Sequence, residues 1–255
     1  MGVNFLKRAI EILGRRVFLL QTNLIYLDSD LINLLKEHFG CSIGTSLDTS
    51  RLPFMDRILR NVTVLKENGI EVGAILTVTN DLTTEDEIFV LKKFSEAGGS
   101  SFSLQFVTPV KGEPVEPSRY VEIFMRLYSH PLNKNRQRVI SALCDHIPGG
   151  INGGNCARWI RTIEPDGTIY VCPDLAGQRI LPVGNVLNGG EEIDAPGIRL
   201  FNEREKKLSL SCFEECWPLC RGGCFASTLF KAGSLLGRDP YCEAYREIFR
   251  RIKGG

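Results

Sequence analysis

Residues 212–224 read CFEECWPLCRGGC, which places Cys212, Cys216, Cys220 and Cys224 at every fourth position around Pro218, Gly222 and Gly223. One continuous helix would line these thiols along a single face, but an internal proline and a glycine pair both oppose helix formation. The stretch reads instead as a winding loop that gathers sulfur. Three chemistries use such a loop. Disulfides belong mainly to oxidising compartments. Structural zinc takes four thiolates, commonly as cysteine pairs about two residues apart with a long gap between the pairs. An iron-sulfur cubane takes several thiolates from one loop and another from farther along the chain.

The rest of the chain bears on that choice. Seven of its nine cysteines (Cys156, Cys172, Cys212, Cys216, Cys220, Cys224 and Cys242) lie at or beyond residue 156, and only Cys41 and Cys144 precede them. Met1 to Leu13 has charged Lys7, Arg8 and Glu11 among its apolar residues and lacks the apolar core of a signal peptide. The sequence therefore predicts a soluble cytoplasmic protein, where clustered thiols favour metal over disulfide. The chain has 255 residues, is 43% hydrophobic and has a formal net charge of +1, enough for a sizeable core in one or two domains. That balance gives no global attraction to nucleic acid or an anionic membrane, and the apolar runs are too short to span a bilayer.

From Asn4 to about Val107 helix-period and strand-like segments alternate, the pattern of β/α units around a parallel sheet. Val17 to Leu20, Cys41 to Leu47, Glu71 to Thr79 and the Phe102, Leu104, Phe106 alternation are predicted strands. Leu31 to Phe39, Met55 to about Leu65 and a segment ending near Phe94 are predicted helices, the last opened by a capping box of Thr83 or Thr84 with Glu87. Pro109 to Pro117 reads as a linker and Ser118 to Tyr128 as an amphipathic helix. Composition changes after Ala142, so the predicted domains are 1–142 and 143–255. In the second, WIRTIEPDGTIYVC predicts a hairpin about Pro165-Asp166-Gly167, followed by short segments and a helix from Cys242 to about Ile252. So little regular periodicity calls for a further staple, which metal would supply.

The order of the seven cysteines, Gly167 with four residues between it and Cys172, and the contexts CRGGC and DPYC together resemble the signature of the SPASM domain. That domain follows the barrel in many radical S-adenosylmethionine (radical SAM) enzymes that modify peptides and proteins. One departure is local: the family has gaps of two and then five residues across the first three cysteines of the run, whereas here both gaps are three. The resemblance implies two auxiliary [4Fe-4S] clusters, one on Cys156, Cys172 and Cys224 and one on Cys212, Cys216, Cys220 and Cys242. An eighth ligand would come from Cys144 or His146, or one iron would stay open to substrate. It also implies a catalytic carboxylate just after the second cysteine, where Asp174 stands beyond Pro173; a turn role is the plain alternative.

The first half is similar to the later part of a radical SAM (β/α) barrel, so the expected fold class is α/β, a partial barrel followed by a small cysteine-rich SPASM domain. On this resemblance Thr22, Asn23, Ser46, Asp48 and Gln105, joined by Asn80, would line the cofactor or substrate pocket at the carboxyl ends of the strands. The same residue types also cap helices after strands. Two features of the family are absent from the sequence: the cysteine triad that holds the SAM-cleaving cluster, and the Gly-Gly-Glu segment that grips the methionyl amine. The expectation is thus a chain that begins part-way through such a barrel and binds S-adenosylmethionine only if the missing part is supplied. Three readings follow: the later part of a peptide or protein maturase, a standalone iron-sulfur electron-transfer or scaffold subunit, or a zinc-stabilised binding module. The expected partners are a peptide or protein substrate, with a second chain supplying strands or a homodimer as further possibilities.

Overall fold

The computed structural model describes residues 3–14, 20–80, 83–106, 113, 115–131, 160–212, 217 and 222–254. The chain forms two compact units, residues 1–105 with 130–134 and residues 106–129 with 135–255.

In the first unit, helices α1 (Val3–Leu13) and α2 (Ser29–His38) precede strand β1 (Ser42–Leu47). A 3-10 turn (Thr49–Phe54) leads into α3 (Met55–Glu67), followed by β2 (Glu71–Val78), α4 (Thr84–Glu96) and β3 (Ser101–Phe106). The sheet order is β1-β2-β3, with β1 and β2 parallel from Ser42 opposite Glu71 to Leu47 opposite Leu76. The expected strand at Val17 to Leu20 falls mostly outside the described residues. Its end pairs with β1, because Gly44 N donates to Leu20 O at 2.8 Å and Thr22 N to Gly44 O at 2.9 Å.

Burial alternates along β2: Val72, Ala74, Leu76 and Val78 are buried and the intervening residues half-buried. The same alternation on β1 buries Ile43, Thr45 and Leu47. Ile58, Val62 and Leu65 are the buried residues of α3, at the spacing that turns one helical face inward. The capping box of α4 uses Thr83 and Asp86, not Glu87: Asp86 N donates to Thr83 Oγ1 at 3.2 Å, and Thr83 N to Asp86 Oδ2 at 3.0 Å. Glu87 is fully buried, so its side chain turns inward, away from the helix entrance.

The second unit contains α5 (Pro117–Ser129), the hairpin β4 (Thr162–Ile163) and β5 (Thr168–Tyr170), and a single helical turn α6 (Pro173–Ala176). Strands β6 (Pro182–Asn185) and β7 (Gly190–Glu191) complete an antiparallel sheet of order β4-β5-β6-β7. Helices α7 (Pro196–Ser211), α8 (Phe225–Ala232) and α9 (Cys242–Gly254) follow. Ile169, Val171, Leu175, Val183, Phe201 and Phe225 form its apolar core together with Cys172. The sequence reading missed α7 and α8. The boundary expected after residue 142 and the linker at 109–112 and 114 lie outside the described residues. No helix among the described residues is long and apolar enough to cross a membrane.

Candidate metal centre

The hairpin delivers the first described cysteine of the second unit. Asp166 Oδ1 accepts from Thr168 N at 3.0 Å, and Gly167 N donates to Glu164 O at 2.9 Å, closing the turn. Gly167 has φ +83°, and a Cβ there would stand 2.9 Å from Asn185 Oδ1, so only glycine lets the turn lie against β6. The chain then runs through β5 to Cys172, extended and 4% exposed, whose carbonyl accepts from Ala176 N. Asp174 stands in the first turn of α6, half-buried.

Three more cysteines mark helix ends. Cys212 caps the C-terminus of α7, Cys224 the N-terminus of α8, and Cys242 opens α9. No helix runs through the Gly222-Gly223-Cys224 end of the loop: the glycines have φ +87° and +79°, and Cys224 is extended. Cys224 Sγ accepts from Ser227 N at 3.4 Å. The Ser227 hydroxyl beside it is buried and meets no hydrogen-bond partner among the described residues.

Two buried charges frame this loop. Arg204 of α7 has no solvent exposure; its Nη2 donates to Gly222 O at 2.5 Å and to Thr228 Oγ1 at 3.2 Å, and its guanidinium lies 5.9 Å from the centre of the Phe225 ring. Thr228 Oγ1 in turn donates to Cys224 O at 2.7 Å. Asp239, 3% exposed, accepts from Cys224 N and Tyr241 N. Burial pushes its carboxyl above the ordinary range, opposed by the Tyr241 and Cys224 N–H donors, by the positive field of Arg204 and by the Tyr245 hydroxyl. Burial also raises the Cys212 thiol, and the positive charges of Arg238 and Arg204 offset part of that rise. The Arg238 guanidinium donates to Ser211 O, next to Cys212.

These features suit a thiolate-bound metal or cluster in donor chemistry. Cys172, Cys212, Cys224 and Cys242 are present as thiols, not disulfides. One sulfur accepts a backbone N–H, and the arginines beside another offset part of the rise that burial causes. Among the described residues no three His, Cys, Asp or Glu side chains converge as a complete metal site. Cys144, His146, Cys156, Cys216 and Cys220, which the sequence reading also named, lie outside the described residues.

In the first unit, several of the pocket candidates gather along one end of the sheet. Ser46 Oγ, near the end of β1, accepts from Gln21 Nε2 at 3.3 Å. Asp48 follows that strand and pairs with Arg51, Oδ2 to Nε 3.5 Å. Asn80 is exposed just beyond β2, and Gln105 lies near the end of β3. Thr22 is placed by its backbone bond to Gly44. Asn23 has local turn chemistry, its Oδ1 accepting from Ile25 N at 3.1 Å. Arg204 and Asp239 are absent from the sequence reading, although both had a signal there. Arg204 shares a helical stripe with Phe201 and Leu208, and Asp239 stands in the DPYC context.

No model of a protein family matches the chain. Mycofactocin maturase MftC of Mycobacterium ulcerans (strain Agy99) is 34% identical over 96 residues, 36% of this chain and 26% of that protein. MftC of Mycolicibacterium smegmatis is 34% identical over 101 residues. The cysteine-type anaerobic sulfatase-maturating enzyme of Clostridium perfringens is 24% identical over 270 aligned positions, 90% of this chain and 70% of that enzyme. The match to the mycofactocin maturases thus spans about a quarter of their length. The crystal structure of Streptococcus suis SuiB bound to S-adenosylmethionine shares the fold, with TM-score 0.62 and 18% identity over 94% of this chain and 62% of that one. SuiB bound to precursor peptide SuiA gives TM-score 0.60 at 15% identity, over 94% of this chain and 61% of SuiB. The chain is thus similar to maturases of peptides and proteins, the resemblance its sequence suggested, and shares its fold with SuiB.

Proposed function

We propose that this chain forms a partial radical SAM barrel with a SPASM domain, and acts as part of a maturase that modifies a peptide or protein. The observation that carries the reading is the set of buried and half-buried thiols at the ends of β5, α7, α8 and α9, in the SPASM order, one accepting a backbone N–H and another beside Arg238 and Arg204. Cys156, Cys172 and Cys224 would hold one [4Fe-4S] cluster and Cys212, Cys216, Cys220 and Cys242 the other. When bound, such clusters supply one-electron transfer or, with an open iron, a substrate contact. A peptide substrate is supported by the SuiB complex with its precursor peptide. Asp174 is the proposed proton acceptor for the substrate. Thr22, Asn23, Ser46, Asp48 and Gln105 are proposed to line the pocket of the α/β unit. Use of S-adenosylmethionine needs a cysteine triad that this sequence does not contain, so it belongs to the proposal only together with residues that carry one.

Iron and acid-labile sulfide measured on protein reconstituted without oxygen test the reading. About eight irons per chain, with broad absorption near 400 nm, is the expected result. Colourless protein with stoichiometric zinc would replace it with a structural knuckle.

A further inference from the structure

Cys224 and Cys242 are 18 residues apart in sequence, yet one residue, Asp239, bonds to the backbone at both helix starts. Asp239 Oδ2 accepts from Cys224 N at 2.5 Å, and Asp239 Oδ1 accepts from Tyr241 N at 2.8 Å. Its backbone carbonyl accepts from Cys242 N at 2.9 Å. The Tyr245 hydroxyl, one turn into α9, helps to hold the charge of the same carboxylate. The approach is close because residue 223 is glycine: a Cβ there would lie 2.2 Å from Asp239 Cβ, and its φ of +79° suits glycine. The carboxylate is 3% exposed, so water does not compete for these bonds.

We infer that Asp239 is a positioning residue that ties the Cys224 and Cys242 helix starts together, so that the two metal sites to which these cysteines are assigned are set by one carboxylate. The inference rests on the two-cluster reading above. Its chemistry is specific to a carboxylate. Two backbone N–H groups approach different oxygens, and an asparagine would turn an NH2 group toward one of them. At most one of the two anchors would survive, leaving a buried donor without an acceptor. Groups that hold metal ligands in orientation commonly change metal retention when replaced, by roughly 10-fold or more.

The test compares the reconstituted chain with Asp239→Asn, Cys224→Ser, Cys242→Ser and Tyr245→Phe, following iron loss to a ferrous chelator and the EPR spectrum after dithionite reduction. Each cysteine variant should alter one reduced-cluster signal. Asp239→Asn should alter both signals and release iron roughly 10-fold faster. Tyr245→Phe, which keeps the carboxylate and removes one donor, should shift both signals in the same direction by a smaller amount. An Asp239→Asn protein with both signals unchanged, or with only one changed, overturns the inference. Should Asp239→Asn fail to fold, Tyr245→Phe decides: both signals moved upholds it, and anything less overturns it. An unsubstituted chain that takes up no iron would instead overturn the two-cluster reading itself.

Discussion

The α/β unit and the cysteine-rich unit bury different things. In the first, the described interior is aliphatic and aromatic, and Thr45 and Glu87 are its buried polar residues. In the second, Arg204, Ser227, Thr228 and Asp239 are buried together around one loop. Apolar burial is non-directional and tolerates approximate packing, whereas a buried charge must find its partners at set distances. The first unit can therefore be specified by periodicity, while the second depends on a few directed bonds and, where its thiols hold clusters, on iron.

The sharpest way to break that contrast is to injure each unit and ask whether iron responds. Leu76→Ala, in the centre of β2 at 1% exposure, should cost about 3 kcal/mol, with iron content per folded chain unchanged. Denaturant titration of loaded and iron-free protein reads this; a cost that depends on iron would show that the units are not separate in energetics. Arg204→Met should cost about 2 kcal/mol by leaving Gly222 O without its charged donor, and here the iron should fall with the stability. Full iron retention in that variant would remove the buried cation from the account of the loop.

Smaller effects sharpen the comparison within each unit. Thr83→Ala removes the capping box of α4 and should cost about 1 kcal/mol, with faster amide exchange confined to that helix. Glu191 forms a bidentate pair with Arg161, Oε2 to Nε 2.6 Å and Oε1 to Nη2 2.7 Å. The hydrogen bond from Arg161 holds the Glu191 carboxyl below its ordinary value of 4.5 in the folded chain. The unfolded chain therefore binds this proton more readily, so the stabilisation is complete above about pH 4.5 and disappears as pH falls through the depressed folded value. Both side chains are about a third exposed, which limits the pair to roughly 0.5 kcal/mol. The stability gap between the unsubstituted chain and Glu191→Gln should close between pH 6 and pH 3, and a constant gap would remove the pair from the pH dependence.

How far the sequence was legible follows the same division. Strands β1 to β3 and helix α3 matched their apolar patterns to within a residue or two, because local periodicity and core burial agree there. The α4 entrance shows where pattern alone is ambiguous. Thr83 with Asp86 and Thr84 with Glu87 both fit a capping box, and burial of Glu87 in the folded chain selects the first. Helix α7 was hidden by its charge. Glu203, Arg204, Glu205, Lys206 and Lys207 are five charges in a row, yet Arg204 turns inward to an acceptor, Gly222 O, that only the fold brings near. The thiols could be named as ligands from their order, but the link from Asp239 to Cys224 joins residues 15 apart and has no local signature.

The Arg161–Glu191 pair has a kinetic meaning as well. Arg161 directly precedes β4 and Glu191 ends β7, the two edge strands of the four-stranded sheet. The clasp can close only after the intervening turns have brought all four strands into register. A contact made only after the folding barrier acts by slowing the opening of the sheet more than by speeding its assembly.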